Sequence, residues 1–162
     1  DLMGPIGVLL GVVAFAGLAL SIRTWRTHPD ATGLSLAQAA VWFVGVPLME
    51  CYLTVSPEVA VRIWPPVDLA LACFVAYAWI TRRHGYTLAY LGFLVLQGGL
   101  HVTYVAQPTD GSLMNQYKLL LNVTFCAQSV CGAWPGLKDV VARAIDILRS
   151  RDHGHLPVGH SG

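Results

Sequence analysis

Six side chains able to do proton or hydrogen-bond chemistry stand inside otherwise apolar stretches: Glu50, Asp68, Gln97, His101, Lys118 and Asn122. Glu50 and His101 form the natural proton-sensitive pair, because imidazole titrates near neutral pH and a neighbouring carboxylate tunes that titration. Ionisable groups in so apolar a setting are costly and face a protein interior or a water-filled path. Gln128 and Ser129 extend the set along the last apolar stretch. Hydrogen bonding between helices is the competing role for Gln97, Asn122, Gln128 and Ser129. Asp68 follows Pro65 and Pro66 closely enough to serve equally well as a helix-start residue.

Other chemistries lack their residues. There is no GxSxG, HExxH or P-loop. The cysteines, Cys51, Cys73, Cys126 and Cys131, form no CxxC and read as buried thiols. His101 has no second histidine at its depth to complete a bis-histidine haem site, and His153, His155 and His160 are loosely spaced in a Gly-rich tail. The expectation is therefore a non-enzyme with no catalytic residues, no cofactor and no metal.

The elements that must position these residues are apolar helices. Of the 162 residues, 55% are apolar and 12% are charged, against about 25% charged in a soluble domain. That balance argues against a soluble enzyme domain, a disordered chain and a nucleic-acid binder. Five stretches approach the length of about 20 residues that a membrane helix needs: 2–22, 35–55, 66–81, 87–106 and 117–134. Turn-forming segments separate them, among them HPDATG, RRHG and QPTDG. Asp1 before the first stretch and Arg23 and Arg26 after it are the reverse of a secretory signal's flanks, so the first stretch reads as a retained span.

Arg23, Arg26, Arg82, Arg83, Lys138, Arg143, Arg149 and Arg151 follow the odd-numbered spans, leaving only Arg62 and Lys118 for the other side. The positive-inside rule then puts the N-terminus outside and the C-terminus in the cytoplasm of a bacterial inner membrane. Residues 1–135 form the five-span bundle. Residues 136–151 form an amphipathic basic helix, through Val140, Val141, Ala144, Ile145 and Leu148. Residues 152–162 form a disordered His/Gly tail.

With that orientation, Glu50, Asp68, His101, Lys118 and Asn122 all fall in the outer half of the membrane, with Gln97 near its centre. Helical spacing gives one stripe of Tyr90, Gln97, His101 and Tyr104, a second of Gln38, Trp42 and Glu50, and a third of Lys118, Asn122 and Ser129. Facing one another, the stripes line a polar path. Gly7 and Gly11, with Gly98 and Gly99, are small residues that let helices pack closely, within the bundle or between protomers.

The segment SIRTWRTHPDATGLSL and the third stretch with Asp68 near its start resemble, over residues 4–83, one three-helix repeat of the PQ-loop superfamily, which includes the SemiSWEET sugar transporters. Arg23, Arg26 and Gly33-Leu34-Ser35 occupy the matching places, while Ala19-Leu20-Ser21 stands where that family has its Pro-Gln pair. The whole chain, especially LLLNVTFCAQSVCGAWPG before a basic tail, also resembles small multi-pass proteins of bacteriophages, including holin-like ones. The phage resemblance implies an oligomer that opens a passage through the membrane, and the PQ-loop resemblance implies a compact transporter or channel. A third expectation is an accessory subunit of a larger membrane complex. All three have the lipid bilayer as partner and no nucleic acid.

Overall fold

The computed structural model describes residues 5–48, 57–106 and 111–153, and these are helical with no strand among them. Helix α1 is Pro5–Ile22, α2 is Pro29–Ala40, α3 is Pro57–Arg82, α4 is Gly85–Ala106 and α5 is Gly111–His153. Local chemistry sets the boundaries. Pro29 at the start of α2 has no N–H to leave unpaired, and Asp30 in its first turn complements the positive end of the helix dipole. Past Ala40 the chain continues as a π-helical turn, Val41–Gly45, in which the Val46 N–H donates to the Val41 carbonyl. Arg83, between α3 and α4, adopts φ 56°, a left-handed conformation that turns the chain back within two residues.

Helix α4 lies between α3 and α5, while α1 packs on α5 and α2, and α2 also packs on α5. A core of Leu34, Val75, Tyr90 and Leu94 joins α2, α3 and α4. The small-residue face of α1 is turned inward: Gly7, Leu10, Gly11, Ala14, Gly17 and Ser21 are its buried residues. A Cβ on Gly17 would lie 3.3 Å from the Ser129 carbonyl oxygen, and one on Gly136 would overlap the Leu20 carbonyl. Only glycine lets α1 and α5 come this close. Large apolar side chains cover the outward faces instead, including Leu9 and Phe15 on α1, Leu69 and Tyr77 on α3, and Val95 and Val102 on α4.

Among the described residues three helices are long and apolar enough to cross a membrane: α1, residues 62–82 of α3, and residues 85–105 of α4. The other two expected spans look different. Helix α2 ends at the π turn, and residues 49–56 lie outside the described set. Helix α5 carries Asn122, Gln128 and Ser129 in its apolar half, which lowers its hydropathy. Helix α3 begins nine residues before the expected start at Pro66, and it contains both Pro65 and Pro66. The expected break near Gly136 is absent. Helix α5 runs through Pro135 and Gly136 without interruption, so residues 136–151 continue the last bundle helix rather than forming a separate one. The sequence signal of a Pro-Gly pair was real, but its use is close packing against α1. Residues 152 and 153 still belong to α5, and the rest of the expected tail lies outside the described residues.

Candidate functional site

One face of α4 carries Tyr86, Tyr90, Gln97, His101 and Tyr104, and the spacing brings all five to the interior side. Fifteen residues separate Tyr86 from His101, about 22 Å along the axis at about 1.5 Å per residue. From this face a chain of side-chain hydrogen bonds crosses four helices. Tyr90 Oη donates to Gln38 Oε1 at 2.6 Å, and Gln38 Nε2 donates to Gln128 Oε1 at 3.3 Å. Gln128 Nε2 donates to Gln97 Oε1 at 3.0 Å, and Gln97 Nε2 donates to Asp68 Oδ1 at 2.9 Å. Every donor in the series points toward Asp68, so the three amide dipoles turn their positive ends to that carboxylate.

Beyond Asp68 the groups are ionisable. Asp68 Oδ2 lies 3.1 Å from His101 Nε2, an ion-pair contact whose angle falls short of a hydrogen bond. His101 Nδ1 shares a proton with Tyr117 Oη. A neutral His101 that gives its Nε2 proton to the carboxylate side must accept at Nδ1, so Tyr117 is then the donor. His101 is thus engaged through both ring nitrogens, and it is 1% exposed. Tyr117 stacks on Tyr104 at 4.4 Å between ring centroids. A cavity of about 340 Å³ is lined by Arg62, Pro65, Val102 and Val105 together with His101. A smaller one, about 120 Å³, reaches Tyr104 and Tyr117.

Of the residues expected from the sequence, Asp68, Gln97 and His101 meet directly. Lys118, next to the buried Tyr117, is exposed and Asn122 is half-buried, while Tyr117, Thr124, Gln128 and Ser129 are the residues of this part of α5 that reach the interior. Glu50 lies outside the described residues. Gly7 and Gly11 are buried within this chain, Gly11 against the Trp42 ring. Gly98 and Gly99 have open space where a Cβ would stand. Gln38 and Gln128, both named from the sequence, are buried in the array, and the partner that spacing alone does not single out is Tyr117, buried on α5.

A second polar cluster sits at the opposite end of α4, where the turn-forming segments HPDATG and RRHG supply His28, Asp30 and His84, and Tyr86 follows at once. Asp30 Oδ2 lies 3.1 Å from His84 Nδ1 and accepts from Tyr86 Oη at 2.9 Å. Tyr86 Oη is also 2.8 Å from His84 Nδ1 and 3.3 Å from His28 Nδ1. Burial opposes the charge on Asp30, but the hydrogen bonds from His84 and Tyr86 and the charge of His84 outweigh it. Its carboxyl is therefore held below the ordinary carboxylate value. A cavity of about 650 Å³ opens beside the cluster, with His28, Arg83, His84, Tyr86, Trp134 and Lys138 on its wall.

No protein-family model, no curated protein and no solved structure matches the chain. The geometry alone therefore carries the functional reading.

Proposed function

We propose that this chain is an integral protein of a bacterial inner membrane, crossing it five times with the C-terminus in the cytoplasm, and that it passes protons or small polar solutes through its own bundle. The observation that carries this reading is the buried array from Tyr90 to Tyr117, which ends in an acid–imidazole–phenol series beside a surface cavity. So many buried polar groups in an otherwise apolar bundle are expensive, and a path through the bundle is the usual reason to keep them. Asp68 and His101 act as the protonation site. The glutamines Gln38, Gln97 and Gln128 form the seam along which the helices exchange hydrogen bonds.

Vesicles with a trapped pH indicator test this. Purified protein should dissipate an imposed pH gradient in proportion to its amount. Asp68→Asn and His101→Gln should each slow that flux by at least about a hundredfold, the low side of what losing a proton-transfer group costs. Vesicles as tight as protein-free ones, or flux unchanged in both variants, would overturn the proposal.

A second reading, a holin-like passage formed by several copies, draws support from Gly98 and Gly99, whose Cβ positions are open. The face of Gly7 and Gly11 is already used within the chain. Gly99→Leu should then abolish oligomers on native gels and leave the monomer folded. A monomer that conducts by itself excludes this reading.

A further inference from the structure

We propose that His28, Asp30 and His84 bind a divalent transition-metal ion of the zinc class. The site ties the loop before α2 to the turn between α3 and α4, and it stands apart from the interior array. One ligand-capable atom from each of the three residues falls within 4.8 Å of the other two. The set is two imidazole nitrogens and one carboxylate oxygen, the donors that such ions prefer. Calcium and magnesium need six or more oxygen ligands, which this nitrogen-rich cluster does not supply.

The spacing fits. A tetrahedral ion with arms of about 2.0–2.1 Å holds its ligands about 3.3–3.4 Å apart. His84 Nδ1 and Asp30 Oδ2 are 3.1 Å apart, and the ligand atom of His28 lies within 4.8 Å of both, so side-chain rotation that draws His28 inward seats the ion. An independent observation concerns Asp30 itself. Its side chain is 4% exposed, yet Oδ1 is buried with no hydrogen-bond partner. A buried acceptor without a donor is costly, and a cation on the carboxylate compensates it. Tyr86, donating to Asp30 Oδ2, orients the carboxylate in the way that outer-shell partners of metal ligands do.

Three protein ligands leave one position of a tetrahedral ion open. The 650 Å³ cavity shares His28 and His84 with the cluster, so that position faces the cavity. Arg83 and Lys138 on its wall favour an anionic occupant there, hydroxide or a small carboxylate.

The test uses the full chain in detergent, stripped with a chelator and titrated with Co²⁺, whose visible bands are intense when four-coordinate. One Co²⁺ per chain, displaced by Zn²⁺, is expected. His84→Gln and Asp30→Asn should each weaken binding by more than the roughly 10–100-fold that loss of an outer-shell partner costs. Replacing His153, His155 and His160 together by Gln should leave both the bands and the affinity intact, whereas Tyr86→Phe should keep the bands and weaken binding by roughly 10–100-fold. If His84→Gln does not fold, His28→Gln, changed at the half-buried edge of the cluster, is the second arm and should lose the bands. Absence of Co²⁺ binding by the stripped wild-type chain overturns the proposal. So does binding that survives His28→Gln and vanishes in the tail variant.

Discussion

The two ends of α4 carry the same three residue types, joined in different ways. Toward its C-terminal end, Asp68, His101 and Tyr117 form a line in which the imidazole uses both nitrogens, one toward the acid and one toward the phenol. At its N-terminal end, Asp30, His84 and Tyr86 converge, with a single imidazole nitrogen meeting both the carboxylate and the phenol, and His28 joining them. In the line His101 stands between the acid and the phenol, sharing a proton with Tyr117 at Nδ1 and meeting Asp68 at Nε2 in an ion-pair contact. In the convergence one ligand-capable atom from each of His28, Asp30 and His84 lies within 4.8 Å of the other two, which suits holding an ion. The difference also appears in solvent contact. His101 is enclosed, whereas the His84 side chain is 30% exposed and opens on the large cavity.

The comparison breaks most sharply at Asp68. Asp68→Ala leaves His101 buried without its acid and Gln97 Nε2 without an acceptor. Two buried groups each lose a partner, at about 1–3 kcal/mol apiece, read by unfolding in mixed micelles. Tyr90→Phe removes only the first donor of the array. The unpaired Gln38 oxygen should cost about 1–3 kcal/mol in the same assay. A smaller effect is expected from pH at the converging end. The Asp30 carboxyl is held low, so its stabilisation is fully present above the unfolded value of about 3.9 and is lost as pH falls through the still lower folded value. Asp30→Asn should flatten this acid limb of the stability curve, and a limb of unchanged steepness would show that another carboxylate produces it. The smallest change is the control outside both clusters. Arg143 pairs with Asp139 one turn away on the exposed part of α5, and Arg143→Ala should cost no more than about 0.5 kcal/mol.

Much of the linear end was legible in the sequence. The stripe of Tyr90, Gln97, His101 and Tyr104 follows from helical spacing alone, and α4 is regular enough for the spacing to hold. The expected stripe on α5 is matched only at Ser129, which is buried. Lys118 and Asn122 look like the natural polar line, but Tyr117 and Gln128 are the residues turned inward, because Gly132 and Gly136 fix how α5 rotates against its neighbours. The stripe from Gln38 to Glu50 assumed an unbroken α-helix. The chain instead passes through the π turn at Val41–Gly45, and Glu50 lies outside the described residues. The converging end was hidden for another reason. His28 and Asp30 sit 54 to 56 residues from His84 in sequence, each inside a segment rich in turn formers. Only the packing of the helix ends brings them together. The usable clue was that both turns belong to the same side of the bundle and each carries a histidine.

Helix α5 is a single element with two lifetimes. Up to Gly136 it is wedged against α1, and opening it means pulling the bundle apart. From Val141 to Ser150 every residue is exposed. A free helix of only about 12–15 residues is marginal in water, so the amide hydrogens of that segment should exchange in local openings that cost far less than global unfolding. Pro135, which has no N–H, adds a soft point just where the supported part ends. The far end of α5 therefore behaves as a handle that can bend, unwind or be gripped while the packed helices stay in register.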